Sequence, residues 1–287
     1  MIKSLKKILN KILIGRPSKK LYKFMISDWI SLGDLDNCKK VLETKRFNRN
    51  LKPIEIKYPN AKNIVVLAPH PDDDIIGAGG TLIKAKEHGS NIHIIYVTNG
   101  VAKNSKRIKL ETKTVCDEGG FIPYFLNCNP RSIPINDNMI NDKLFSILKL
   151  VDPEIIFTSF LLDDHDDHRR INQLLSTQLR KNHFKKCEIW SYQIYSSIFP
   201  NVVIDITNQK TQKKELIDIW ESVSKFNDLA HYILGVNASN CRYLVSDYPA
   251  WVESFFVLPL NEYLELCDIY FSKDSSKNYY FNKYQKA

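Results

Sequence analysis

Ten residues in two short stretches of this chain carry the side chains most suited to chemistry. "LAPHPDDDIIGAGG" (67–80) sets His70, Asp72, Asp73 and Asp74 directly after an apolar run, and "DDHDDHRR" (163–170) sets His165 and His168 among Asp163, Asp164, Asp166 and Asp167. Any one of these aspartates alone would be explained as a helix N-cap after a strand. Two clusters that each pair His with Asp are not explained that way. If the two stretches converge, their charge needs a cation or strongly raised pKa values. A divalent metal would neutralise the carboxylates and use the imidazoles. His70 and Asp73 lie three apart around a turn that Pro71 stiffens, so both can face one point. His165 and His168 share that offset on one side of a first helical turn. Two histidines, one carboxylate and an open position form the usual catalytic zinc pattern. The pattern leaves further acids to move protons, and an unligated carboxylate beside activated water is a natural general base.

The elements that must position these groups read as a regular alternation. "NIVVLA" (63–68) is a β-branched run of the kind buried on both faces. "GGTLIKAKEHG" (79–89) reads as a helix stopped by Gly89. "NIHIIYVTNG" (91–100) is a second strand, followed by a polar helix near 105–118, a strand at "FIPYFLN" (121–127) and a helix at 141–150. "EIIFTSF" (154–160) is a strand, a helix follows near 168–181, and "EIWSYQIY" (188–195) and "VVIDIT" (202–207) are strands. The last eighty residues read mainly as helix, with "SFFVLPL" (254–260) extended. The rotation predicts an α/β fold: a three-layer, Rossmann-like, mostly parallel sheet with helices on both faces. In such sheets ligands sit outside the carboxyl ends of the strands, where both acidic clusters fall.

These motifs resemble a known family. "LAPHPDDDIIGAGGTLIKAKEHGSNIHIIYVTNG" is similar to the opening motif of the PIG-L/LmbE zinc deacetylases, and "HDDH" is similar to their second motif, H-x-D-H. "ETKTVCDEGGF" fits the family's helix ending in Leu-Gly, and "VESFF" resembles its C-terminal Glu-x-Phe segment. The resemblance runs from about residue 63 to 172 and implies an LmbE-like fold. It implies that His70, Asp73 and His168 bind Zn²⁺ or another divalent metal, that Asp72 is the general base, and that His165 stabilises the oxyanion or protonates the leaving amine. Asp167 would orient one of the histidines, and Asn99 and Gly100 would shape the pocket rim. Trp251 and Glu253 are rim candidates from "AWVESFF" alone. Asp74 stands where the family usually has Glu, and Ile108 where it often has Arg, with Arg107 one step out of register. The implied reaction is hydrolysis of the N-acetyl group of an N-acetylglucosamine-type sugar on a glycan, glycolipid or nucleotide carrier, as in polysaccharide biosynthesis. The competing reading is a non-catalytic, metal-stabilised glycan-binding module of the same fold docked at a membrane.

Composition bounds the remaining possibilities. The net charge of +9 looks like a nucleic-acid signal until it is located: residues 1–24 hold eight lysines and arginines and no acid, so the rest is nearly neutral. No basic patch remains inside the domain for nucleic acid. Ile2, Leu5, Ile8, Leu9, Ile12 and Leu13 recur at helical spacing among those lysines, ending at Gly15 and Pro17. That pattern suits peripheral contact with an anionic membrane face, or a stripe packed on the domain. The N-terminus shows no uninterrupted apolar run and no small-residue cleavage site, so no secretory signal is expected. Six cysteines without a C-x-x-C pair suit reduced thiols in a cytoplasmic protein. The expected organisation is a basic segment at 1–24, a lead-in at 25–60 and one catalytic domain at 61–287. "GAGG" lacks the dinucleotide spacing and reads as close helix–strand packing beneath the site.

Overall fold

The computed structural model describes residues 32–44, 52–100, 104–181, 184, 187–222 and 228–271. The expected basic helix at 1–24 lies outside them. The chain forms two compact units, Met1–Arg49 with Asp268–Ala287, and Asn50–Cys267. In the first, the described residues form α1 (Leu32–Leu42), and the Asn37 amide donates to the carbonyl of Tyr270 at 3.3 Å.

The larger unit is an eight-stranded sheet flanked by helices. Its elements are β1 (Ile54–Glu55), β2 (Asn63–Ala68), α2 (Asp73–Glu87), β3 (Asn91–Thr98), α3 (Ser105–Gly119), β4 (Ile122–Cys128), α4 (Asn138–Val151), β5 (Ile155–Ser159) and α5 (Asp166–Lys181). Then come β6 (Glu188–Tyr192), β7 (Val202–Asp205), α6 (Lys210–Asp218), α7 (Leu229–Ser239), β8 (Val252–Pro259) and α8 (Leu260–Tyr270), whose residues from Asp268 on belong to the first unit. The strand order is β1-β7-β8-β6-β5-β2-β3-β4. All pairings are parallel except those of β8, which runs antiparallel to β6 and β7. Every residue of β5, and all of β2 after Asn63, is buried, as β-branched runs covered on both faces require.

This order fixes where a site can form. The chain winds outward from β2 through β3 to β4, then returns across β2 to β5 and winds the other way. Right-handed crossovers therefore put α2 and α3 on one face and α4 and α5 on the other. Winding reverses between β2 and β5, whose ends lie side by side with Leu67 opposite Thr158. The loops leaving these two strands diverge to opposite faces and open a crevice between them.

Three differences from expectation stand out among smaller shifts of element ends. Helix α2 begins at Asp73, six residues before the expected start, and the glycines lie inside it. A Cβ on Gly77 would sit 2.3 Å from Tyr192, and one on Gly80 2.7 Å from Ile206, so only glycine lets this helix press so closely on its neighbours. Strand β6 stops at Tyr192, three residues early. Strand β1, in the segment expected as lead-in, pairs with β7 at the sheet edge.

Candidate metal centre

The loop after β2 is tied down before it delivers its side chains. The Pro69 carbonyl accepts from the Thr98 N–H at 3.1 Å and its hydroxyl at 2.9 Å, anchoring the turn to the end of β3. The His70 N–H then donates to Asp73 Oδ2 at 2.8 Å, which folds the turn back on the first residue of α2. The second loop delivers His165 before α5 and His168 in its first turn. Ser159 Oγ and Asn172 Nδ2 both donate to the His168 carbonyl, at 2.9 and 2.8 Å, locking that turn to the end of β5.

Three atoms from the two loops converge. His70 Nδ1 lies 3.0 Å from Asp73 Oδ2, and His168 Nε2 lies 3.3 Å from both. Ligand atoms bound at about 2.0 Å to a tetrahedral ion stand about 3.3 Å apart, so this triangle has the dimensions of three zinc ligands. Two imidazoles and a carboxylate are also a donor set that zinc and similar divalent ions accept. His165 forms a looser set with the other two histidines, their nitrogens within 4.8 Å of one another.

Each converging imidazole is braced through its other nitrogen. His168 Nδ1 faces Asp163 Oδ1 at 3.0 Å, and His70 Nε2 faces Asp167 Oδ2 at 3.1 Å. Such carboxylates fix ring orientation and tautomer. Asp167 Oδ2 also accepts from the Arg131 N–H at 2.6 Å, and Arg131 holds a left-handed φ of 62°. A non-glycine residue there costs on the order of 1 kcal/mol. Asp163 also gathers the N–H groups of His165, Tyr195 and Ser196 at 2.9–3.2 Å. Sequence reading counted Asp163 in the cluster but gave it no role. The signal was its place at the end of β5, four residues after a fully buried strand.

The electrostatics follow from crowding. Burial opposes a charged imidazole at His70, but Asp73 and Asp167 outweigh it and hold its pKa at about 10. Burial likewise works against His168, yet Asp73 and Asp163 hold it at about 9. Asp73 is kept far below the usual carboxylate range because His168 and His70 overcome its burial. Asp72, partly exposed and without a capping bond, is pushed up to about 6 by burial and then by the charge of Asp73. Burial, followed by the charges of His168 and His70, drives His165 down to about 4. Because its Nδ1 accepts from the Asp167 N–H at 3.2 Å, neutral His165 carries its proton on Nε2. Burial raises Asp74 to about 7, with the Tyr96 hydroxyl donating to its Oδ2 at 2.8 Å.

The structure thus brings His70, Asp72, Asp73, His165, Asp167 and His168 together. Asn99 and Gly100 follow Thr98 at the same end of the sheet, and Gly100 has a φ of 69°. Trp251 and Glu253 do not join the cluster. Trp251 packs beneath Lys210, whose Nζ lies 3.7 Å from the ring centroid. Glu253 is buried against α2 and Lys213, so the expectation that it lines a substrate rim is corrected: both its oxygens are bonded inside the core.

Comparison with known proteins agrees with this geometry. The family model described as "PIG-L: GlcNAc-PI de-N-acetylase" matches residues 65–179, which hold both loops. A glucosamine-6-phosphate deaminase-like protein of Bacteroides thetaiotaomicron is 45% identical over 42 residues. That is 15% of this chain and 6% of that protein, so the chain spans only a small part of this relative's length. Among solved structures, N,N'-diacetylchitobiose deacetylase from Pyrococcus horikoshii is 19% identical with a TM-score of 0.60, covering 80% of this chain and 94% of that one. GalB, the 4-carboxy-2-hydroxymuconate hydratase of Pseudomonas putida KT2440, is 16% identical with a TM-score of 0.58, covering 69% and 96%. Teicoplanin deacetylase Orf2, in a zinc-inhibited form, is 15% identical with a TM-score of 0.52, covering 69% and 98%. At these identities the likeness establishes a shared fold.

Proposed function

We propose that the chain is a member of the PIG-L/LmbE family and a metal-dependent hydrolase that removes the acetyl group from an N-acetylglucosamine-type sugar, a reading supported by the family model that matches residues 65–179. The observation that carries the reading is the triangle of His70 Nδ1, Asp73 Oδ2 and His168 Nε2, built from two loops almost a hundred residues apart. These three residues would hold Zn²⁺ or another divalent ion. Bound there, the ion supplies Lewis acidity that polarises an amide carbonyl and makes water easier to deprotonate.

The remaining work falls to the chain itself. Asp72 accepts the proton of the attacking water, and a carboxylate raised to about 6 is still ionised at neutral pH while being a better base than an ordinary one. Neutral His165 presents its Nε2–H to the oxygen that gains charge as the carbonyl is attacked. The proton held on Asp72 passes to the departing nitrogen, the C–N bond breaks, and acetate and an amine leave. Asp163 and Asp167 keep the imidazoles of His168 and His70 aimed inward. Asn99 and Gly100 form part of the rim; Trp251 and Glu253 have no part in this reading.

Fold alone does not select this reaction, since the hydratase GalB shares it. Acetate is therefore the decisive product. Purified protein should carry about one divalent ion by elemental analysis, release acetate from N-acetylated sugars, and stop when chelated. Hydration of an enol substrate without acetate release would replace this reading. Among the described residues no helix is long and apolar enough to cross a membrane. The basic segment 1–24 is proposed as a peripheral membrane contact, and its deletion should abolish flotation with anionic liposomes.

A further inference from the structure

The turn that carries Asp163 and His165 closes on a residue outside the converging set. Arg169 follows His168 in the first turn of α5 and is buried. Its Nη1 donates to the carbonyls of Asp163 and Asp164, both at 2.6 Å, and its backbone N–H donates to the His165 carbonyl at 3.3 Å. Three successive carbonyls therefore converge on one residue. Nη2 lies 3.5 Å from Asp166 Oδ1, which sets a carboxylate beside the buried cation.

A trans peptide points its C=O and N–H to opposite sides, so a peptide plane held at both is fixed. The plane between Asp163 and Asp164 is held at its oxygen by Arg169 and at its N–H by Ser196 Oγ, at 2.8 Å. The next plane is held at its oxygen by Arg169 and, through the His165 N–H, by Asp163 Oδ1 at 2.9 Å. Arg169 supplies the carbonyl half of both restraints. Two groups of the site hang from these planes. One is the Asp163 carboxylate, 3.0 Å from His168 Nδ1, and the other is the His165 ring, whose Nδ1 accepts from the Asp167 N–H. A single nitrogen serving two carbonyls, with the second turned to a carboxylate, uses the planar fork that only arginine has.

Resting on the deacetylase reading, we infer that Arg169 is a positioning residue: by fixing the turn 163–165 it aims the Asp163 carboxylate at His168 and the His165 ring at the reacting oxygen. It acts through these two groups and not by contact with substrate. Its loss therefore falls on metal affinity, through Asp163, and on kcat, through His165, while KM stays nearly unchanged.

The test uses the full chain, with Zn²⁺ alone as the probe of affinity and N-acetylglucosamine as the probe of turnover. Arg169→Met keeps the apolar stem and has no donor. It should weaken Zn²⁺ by about 10- to 100-fold in chelator competition, and at saturating metal lower kcat by at least about tenfold with KM changed less than about threefold. Arg169→Lys, which keeps the charge without the fork, should recover part of both losses. Loaded with Co²⁺, the Met variant should show a shifted visible absorption band, which mere loss of folded protein would only dim. Leu216→Ala, a core truncation in α6, supplies the comparison: it should lower the melting temperature while leaving zinc affinity and kcat as they are. If Arg169→Met does not fold, the Lys variant carries the same test with smaller losses in the same two quantities. Zinc affinity and kcat unchanged in the Arg169 variants, or a rise in KM alone, would overturn the inference. Affinity is read without substrate, which separates the two levels. Arg169-dependent zinc binding without acetate release from the wild type sinks the reaction but keeps the aiming of Asp163. Acetate release with zinc affinity and kcat indifferent to Arg169 does the reverse.

Discussion

Helix α2 meets buried carboxylates at two places, and they are solved in opposite ways. Midway along it, Glu253 accepts from the N–H groups of Gly80 at 2.9 Å and Thr81 at 2.7 Å and pairs with Lys213 at 2.6 Å. Lys213 spends its other two protons on the Ile76 carbonyl and Asn237 Oδ1, both at 3.0 Å. Every donor of the ammonium is used, and each carboxylate oxygen has a partner. At the first turn, by contrast, Asp72, Asp73 and Asp74 stand in succession, and Asp163 and Asp167 close in around two imidazoles. Asp74 Oδ1 and Asp167 Oδ1 are buried with no hydrogen-bond partner among the described residues. Equal numbers of opposite charges make a closed piece of architecture. An excess of carboxylates around converging nitrogens makes a place kept for a cation.

The contrast predicts different losses at the two places. Asp72→Asn should lower kcat by about 10²- to 10⁴-fold, the usual worth of a positioned general base, while leaving bound metal and melting temperature nearly unchanged. Undiminished acetate release would remove Asp72 from the reaction. Lys213→Met should do the converse: it leaves Glu253 buried and unpaired, at a cost of about 3–5 kcal/mol in stability. Adding Glu253→Gln should recover much of that loss, because the orphaned charge is gone. Denaturant melts of the single and double variants test this, and additive losses would show that the pair is not a closed unit.

Proton exchange sharpens the same comparison. In the metal-free chain His70 and His168 are held at about 10 and about 9 by the carboxylates that outweigh their burial, so both carry protons at neutral pH. These protons are the cations that the crowded aspartates otherwise lack. Metal uptake must release them, so apparent affinity should climb as pH rises from 6 toward 9. Titration calorimetry in buffers of different protonation enthalpy should count close to two protons at pH 7. A heat independent of the buffer would mean that the two rings are already neutral.

How much of this was legible in the sequence depended on distance along the chain. Strands β2 and β5 announce themselves because a strand covered on both faces must be apolar throughout. His70, Asp73 and His168 are legible because each cluster lies within one turn, where spacing fixes direction. Glu253 was misread because its partners, Gly80, Thr81 and Lys213, lie at least 40 residues away and no local pattern links them. The start of α2 was misplaced for a related reason. Glycines usually punctuate helices, but here they sit inside one, and the side chains that demand them come from far along the chain, Tyr192 at the end of β6 and Ile206 just past β7.

The smallest effects separate the two bracing carboxylates, which otherwise look equivalent. Asp163 uses both oxygens: Oδ1 toward His168 and the His165 N–H, Oδ2 toward the N–H groups of Tyr195 and Ser196. An asparagine there must turn its NH₂ toward one of these sets, so one accepting contact becomes a clash of donors. Asp163→Asn should therefore weaken metal binding by about 10- to 100-fold, the usual loss when such a partner is removed. Asp167 makes its contacts through Oδ2 alone, to His70 and the Arg131 N–H, while Oδ1 is idle. Asparagine can keep its oxygen at the Oδ2 position and place NH₂ where nothing is bonded. Asp167→Asn should cost less than about tenfold. Chelator competition on the two variants decides between them. Equal losses would mean that charge alone, and not the number of contacts each oxygen makes, governs how firmly the imidazoles are aimed.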